Sequence, residues 1–166
     1  MKRLPAALIA FGLALTLGAA NYDIIRKPKI VDDGAQVLLE IRPTDPRSLF
    51  AGDYMTLRYA RNALPPDAGP SLPRRGTAIV RLDADGVAQF ARLDDDAALA
   101  DGELRLKFKR RLYEDEVSYG ADAFFFQEGD ADLYAQAKFG VLRVDADGDS
   151  ILVGLADAKR NMLRPR

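Results

Sequence analysis

The sequence predicts a mainly β protein: a small barrel- or sandwich-like β domain with one short helix, preceded by an N-terminal hydrophobic helix. Three observations predict it. From Gly34 onward, apolar residues recur at every second position in short runs, the periodicity of strands with one face in a core. Gly, Pro and Asp clusters interrupt these runs at intervals of roughly 8 to 15 residues. Ahead of them, Leu4 to Ala20 is a single uncharged, mostly apolar stretch of 17 residues. A chain of 166 residues with 48% apolar content supplies one core and no second domain.

Lys2 and Arg3 precede the uncharged stretch, and a helix over it has no polar face. At 1.5 Å per residue it is about 25 Å long, at the short edge of what spans a ~30 Å hydrocarbon core. Gly18 and Ala20 are small enough for cleavage after Ala20. Tyr22, Ile24 and Ile25 carry the apolar surface past that point, and Arg26, Lys27 and Lys29 flank the far side. A cleaved signal peptide and an uncleaved anchor both stay open, with an N-in, C-out orientation expected from the short basic leader. Residues 1–27 are thus read as signal-anchor or signal peptide, and 28–166 as the extracytoplasmic β domain.

In order along the domain, AQVLLEIR places Val37, Leu39 and Ile41 on one strand face, and YMTLRYA does the same with Met55, Leu57 and Tyr59. LPPDAGPSLPRRG (64–76) holds four prolines and two glycines, a semi-rigid surface loop. Residues 78–93 and 141–155 each run apolar, reach Asp-Ala-Asp-Gly, and run apolar again. Both read as hairpins turning at Asp85-Gly86 and Asp147-Gly148. The segments before them do not match, so shared turn chemistry explains the likeness better than an internal repeat. Between them, Leu104, Leu106 and Phe108 alternate with Arg105, Lys107 and Lys109, giving a basic strand face suited to solvent or a carboxylate-bearing neighbour. DADLYAQAK (130–138) places Leu133 and Ala137 on one face behind an Asp130 cap, a short helix.

The chain has neither cysteine nor histidine, which removes thiol nucleophiles, disulfides, His-based triads and the usual zinc ligand sets. Its 24 basic and 25 acidic residues nearly cancel, so no global field draws in nucleic acid. Asp145, Asp147 and Asp149 invite a calcium loop, but Gly148 is fourth rather than sixth and Ala156 stands where a Glu is needed. No metal or cofactor is expected.

The most heavily punctuated stretch is RPTDPRSLFAGDYMTLRY (42–59). Pro43 and Pro46 end the first strand, Gly52-Asp53 turns, and Tyr54 opens the next strand. Asp45, Arg47 and Asp53 suit a corner held by an ion pair. Gly52, Asp53, Tyr54, Leu57 and Tyr59 occupy all five named positions of the signature of the GDYXXLXY family, which this stretch resembles. PTDPRSLFA and AFFFQEGDADLYAQAKFGVLRV are similar to the rest of that family's framework, departing at Gln127, where a Pro is expected before Glu128-Gly129. The resemblance implies a membrane-anchored bacterial protein with an integral membrane protein as partner, and with the N-in, C-out orientation it is expected in the inner membrane with its domain in the periplasm. The resemblance implies no activity and no established site. Asp45, Arg47, Gly52, Asp53, Tyr54, Leu57 and Tyr59 are the candidate interaction residues.

A fainter likeness is to Ser/Lys peptidases of the signal-peptidase type, with Thr44 at the nucleophile position eight residues before Gly52 and Lys107 as general base. That base must be buried to work, whereas Lys107 falls on the basic strand face. The leading expectation is a non-enzymatic accessory module, contacting its partner through the motif corner or the basic face of Leu104 to Arg111. A ligand-binding domain using Tyr113, Tyr119 and Phe124 to Phe126 is the third reading, although three consecutive phenylalanines more often fill a core.

Overall fold

The computed structural model describes residues 3–43, 54–65, 72–111 and 117–165. Helix α1 (Arg3–Asp33) leads into nine antiparallel strands: β1 (Ala35–Pro43), β2 (Tyr54–Tyr59), β3 (Arg75–Leu82), β4 (Ala88–Leu93), β5 (Glu103–Arg110), β6 (Val117–Ser118), β7 (Ala123–Phe125), β8 (Phe139–Val144) and β9 (Ser150–Ala156). Helix α2 (Ala131–Tyr134) lies between β7 and β8, and a 3-10 turn (Arg61–Ala63) follows β2. The sheets run β7-β2-β1-β8-β9 and β4-β3-β5-β6, and together they wrap one core in a nearly closed, barrel-like arrangement.

The period-two reading fixes that core. Val37, Leu39 and Ile41 from β1, Met55, Leu57 and Tyr59 from β2, and Leu106 and Phe108 from β5 are all buried in it. At roughly 25 cal/mol per Å² of apolar surface, each contributes on the order of 2 kcal/mol. Leu38, on the opposite face of β1, is also buried, in a smaller cluster with Val87, Val141 and Ala156. Alternation alone leaves it exposed.

The reason is how the barrel closes. Along Ala35 to Glu40, β1 pairs with β8 on one side only, because β2 joins it from Ile41 onward. The β3–β4 turn fills the other side: Leu38 donates its N–H to Gly86 at 3.0 Å and Val87 bridges to Leu38. The second seam mirrors this. β5 pairs with β3 along its length but with β6 only at Lys109 and Arg110, and Lys107 donates its N–H to the Gly148 carbonyl of the β8–β9 turn at 2.9 Å. Each hairpin turn thus satisfies an unpaired strand edge of the opposite sheet.

Both hairpins turn at Asp85-Gly86 and Asp147-Gly148 as expected, through five-residue connections. The leading aspartate sets the length. Asp83 Oδ1 accepts the N–H groups of Asp85 and Val87, both at 2.9 Å, and Asp145 Oδ1 accepts those of Asp147 and Asp149 at 3.0 and 2.8 Å. Gly86 and Gly148 take positive φ of 79° and 84°. Asp157 repeats the pattern with the N–H groups of Lys159 and Asn161, but Arg160 stands where the others have glycine, at φ 68°.

Two local expectations need correction. α2 is only four residues long, and Asp130 makes no side-chain cap bond; its packing comes from Tyr134 and Ala137, which are buried. The proline-rich connection is not wholly superficial, since Leu64 and Leu72 enter the core at its ends. The sequence pattern is silent on a third feature: helix α1 continues through Pro28 to Asp33, burying Ile30 against the domain. Gly34 ends it: the Gly34 N–H donates to Ile30 O at 3.0 Å, Arg143 donates to Gly34 O at 3.0 Å, and a Cβ would lie 3.0 Å from Val144 N.

Candidate functional site

The signature strand serves the core on one face and meets a neighbouring strand on the other. Leu57 and Tyr59 are buried, Tyr59 with 1% exposure. The Tyr59 hydroxyl donates toward the Tyr119 carbonyl at 2.6 Å and lies 3.0 Å from Ala121 O. The Tyr119 hydroxyl in turn donates to Ala63 O at 2.6 Å, and the two rings meet edge to face at 5.4 Å. Burial pushes both phenols well above the usual tyrosine range. The last tyrosine of the signature therefore pins the segment after β6 to the end of β2, and Tyr119 ties that segment to the 3-10 turn, a structural role for both.

Tyr54, the first tyrosine, is half-exposed. It packs at 5.7 Å on Phe125, which is 67% exposed on β7. Phe124 and Phe126 point the other way, each 5.0 Å from Tyr134, so the phenylalanine run fills the core from alternate positions and leaves one ring outside. Asp45, Arg47, Gly52 and Asp53 lie outside the described residues, as do Thr44 and Tyr113. The three candidate interaction residues that are described, Tyr54, Leu57 and Tyr59, all stand on β2, and only Tyr54 is aimed outward. The turn at Glu128-Gly129 forms with Gln127 in the place of proline: Asp130 N–H donates to Gln127 O at 3.1 Å, with Gly129 at φ 98°.

The basic face of β5 is more elaborately partnered than its sequence suggests. Arg105 Nε donates to Asp94 at 2.9 Å, Lys107 Nζ to Asp149 at 2.9 Å, and Arg111 to Asp122 at 3.2 Å and to the Leu57 carbonyl at 2.9 Å. Lys107 thus offers its proton to a carboxylate; Thr77 stands across the ladder from it, and Thr44 lies outside the described residues.

Sequence reasoning missed what Asp145, Asp147 and Asp149 hold. The guanidinium of Arg26, near the C-terminal end of α1, pairs with Asp145 at 2.9 Å, with Asp147 at 3.3 Å and with Asp149. The Asp145 hydrogen bond is the largest cause raising the Arg26 pKa, opposed by burial and supported by the charges of Asp149 and Asp145. Among the described residues no acidic cluster is arranged to hold a metal ion. The triple aspartate is a receptor for a cation of the same chain, and it fastens α1 to the seam at Gly148. The basic residues after the apolar run were the only hint.

The arrangement defines a class: a small antiparallel β barrel clasped at two seams, with a long helix docked on one of them. The chain belongs to the GDYXXLXY family, whose model, described as GDYXXLXY protein, matches residues 16–155. No curated protein and no solved structure matches it.

Proposed function

We propose that this protein is a membrane-held, non-enzymatic accessory module. In this reading α1 carries it on the bacterial inner membrane, and the β domain stands on the periplasmic side and docks onto an integral membrane protein. The motif corner with the Tyr54 and Phe125 pair, or the basic face of β5, makes that contact. One observation carries the membrane part. Leu8, Ile9, Phe11, Leu13, Leu15 and Leu17 are 54–72% exposed, and at 100° per residue they point to every side of the helix. A helix apolar all round needs an apolar surrounding, and the described residues do not cover these side chains.

Among the described residues, no helix is long and apolar enough to cross a membrane. The uncharged run is about 25 Å long, and a span that short is accommodated by local thinning or by flanking cations that reach for the headgroups. Arg26, Lys27 and Lys29 follow the run, and Arg26 is already engaged by the domain. The test is alkaline carbonate extraction of native membranes, protease protection, and mild-detergent purification of the tagged full-length protein. Retention in the membrane, a domain cut only from the periplasmic side and a stoichiometric polytopic partner are expected. Release by carbonate would overturn the membrane reading, and a turnover lost in Lys107→Ala without unfolding would overturn the non-enzymatic one.

A further inference from the structure

The pairing of β3, β5 and β6 sets like charges side by side. Arg75 and Lys109 are direct cross-strand partners, and Lys109 is in turn the partner of Ser118. Two residues along, on the same side of the sheet, Thr77 is the partner of Lys107. Facing cations in a ladder are destabilising. Among the described residues neither Arg75 nor Lys109 has a carboxylate partner, whereas Arg105, Lys107 and Arg111 all do.

Arg75, Thr77, Lys107, Lys109 and Ser118 line one groove of about 560 Å³ between β5 and the β8–β9 turn. A smaller recess of about 270 Å³ shares Lys109 and Ser118 with it. The two carboxylates on the groove wall are already engaged, Asp122 by Arg111 and Asp149 by Lys107 and Arg26. What faces the opening is a fork of guanidinium donors, an ammonium and two hydroxyls, with two positive charges that no carboxylate among the described residues compensates.

We propose that this groove is a phosphate-binding site, taking a phosphate ester on Arg75 and Lys109 with Thr77 and Ser118 completing the oxygen contacts. A phosphate monoester carries close to two negative charges at neutral pH and accepts charge-assisted bonds on three oxygens. Arginine supplies the planar fork and lysine the point charge that such a group takes. The ligand offsets the repulsion that the ladder carries without it.

Two sources present this chemistry: a soluble phosphate ester and the headgroup of an anionic phospholipid. The headgroup source rests on the membrane reading above, since Asp149 on the groove wall also holds Arg26, where α1 leaves the domain.

The experiment uses the full-length protein in neutral detergent micelles, titrated with inorganic phosphate and glycerol phosphate and followed by amide NMR. In parallel, it is reconstituted into nanodiscs of phosphatidylcholine with or without phosphatidylglycerol. Saturable shifts at Arg75, Thr77, Lys109 and Ser118 are expected, about tenfold weaker in affinity in Lys109→Gln and absent in the Arg75→Gln/Lys109→Gln double variant. Arg160→Gln, a cation elsewhere on the surface, should leave them unchanged. The double variant should melt no lower than the parent, because it removes a repulsion.

Response to soluble phosphate without a phosphatidylglycerol effect supports the groove and assigns it a soluble ester. A phosphatidylglycerol effect abolished in the double variant supports it and assigns the headgroup. No response to either, or one that the double variant retains, overturns the proposal. Carbonate release of the protein would remove the headgroup source and leave the micelle titration standing as its own test.

Discussion

The two Asp-Ala-Asp-Gly turns share a sequence, a hydrogen-bond pattern and a task, and they differ in what surrounds them. At Asp83 to Val87 a Cβ added to Gly86 meets nothing within 4 Å, and among the described residues the outer carboxylate of Asp85 pairs with Arg160 alone, at 2.8 Å. At Asp145 to Asp149 a Cβ on Gly148 would lie 3.0 Å from the Arg105 backbone carbon, and the carboxylates hold Arg26 and Lys107. One turn closes a seam. The other closes a seam and also binds the helix that we propose carries the protein. A four-residue motif specifies the backbone, and residues between 42 and 119 positions away decide how much else hangs on it.

The largest difference is expected from one methyl group. Gly86→Ala should destabilise by about 1 kcal/mol, since only its positive φ is disfavoured. Gly148→Ala adds a collision with the β5 backbone and should lose about 3 kcal/mol. Denaturant unfolding of both variants measures the gap, and equal losses would show that the second turn is no tighter than the first.

A smaller effect isolates charge from shape. Asparagine keeps the Oδ1 acceptor that both turns require, so Asp83→Asn should be within about 0.5 kcal/mol of the parent. Asp145→Asn weakens the hold on Arg26 and should lose about 1 kcal/mol. Its signature is local: amide exchange should quicken at Ile30 to Gly34 and stay unchanged at Leu38. Protection at Ile30 to Gly34 that matches the parent would mean that Arg26 does not hold α1 in place.

How far the sequence reveals this follows from which interactions are local. Strand faces were legible because alternation is written into neighbouring residues, and so were both hairpins, because Asp and Gly determine a turn within five positions. Leu38 was not, because its cover comes from Val87 in another hairpin. The Arg75 and Lys109 pair was hidden for a topological reason: β5 passes the nearer β4 and joins β3 on its far side, so two basic residues 34 positions apart become neighbours. The signature residues were legible as important but not as to why. Leu57 and Tyr59 prove to be core, and only Tyr54 of the described ones faces outward.

The third turn, Asp157 to Asn161, tests whether glycine or aspartate matters more to the shared geometry. Arg160 holds the glycine position at φ 68°, a conformation that disfavours a side chain by about 1 kcal/mol. Its exposed pair with Asp85 returns only a few tenths. Arg160→Gly should therefore raise stability by about 0.5 kcal/mol, and a fall would mean that the link between the two turns outweighs the strain.

The aspartate's share is read by pH. The Asp157 pKa is lowered, first by the Asn161 N–H, against a smaller opposing effect of burial. A carboxylate depressed in the folded state stabilises above its unfolded value near 4 and loses that contribution as pH falls through the folded value. The Asn161 amide should accordingly lose protection below about pH 4 in the parent. In Asp157→Asn the acceptor persists without the titration, so protection there should be flat with pH. A slope retained in that variant would place the acid sensitivity of the turn in another group and leave glycine as the residue that the motif depends on.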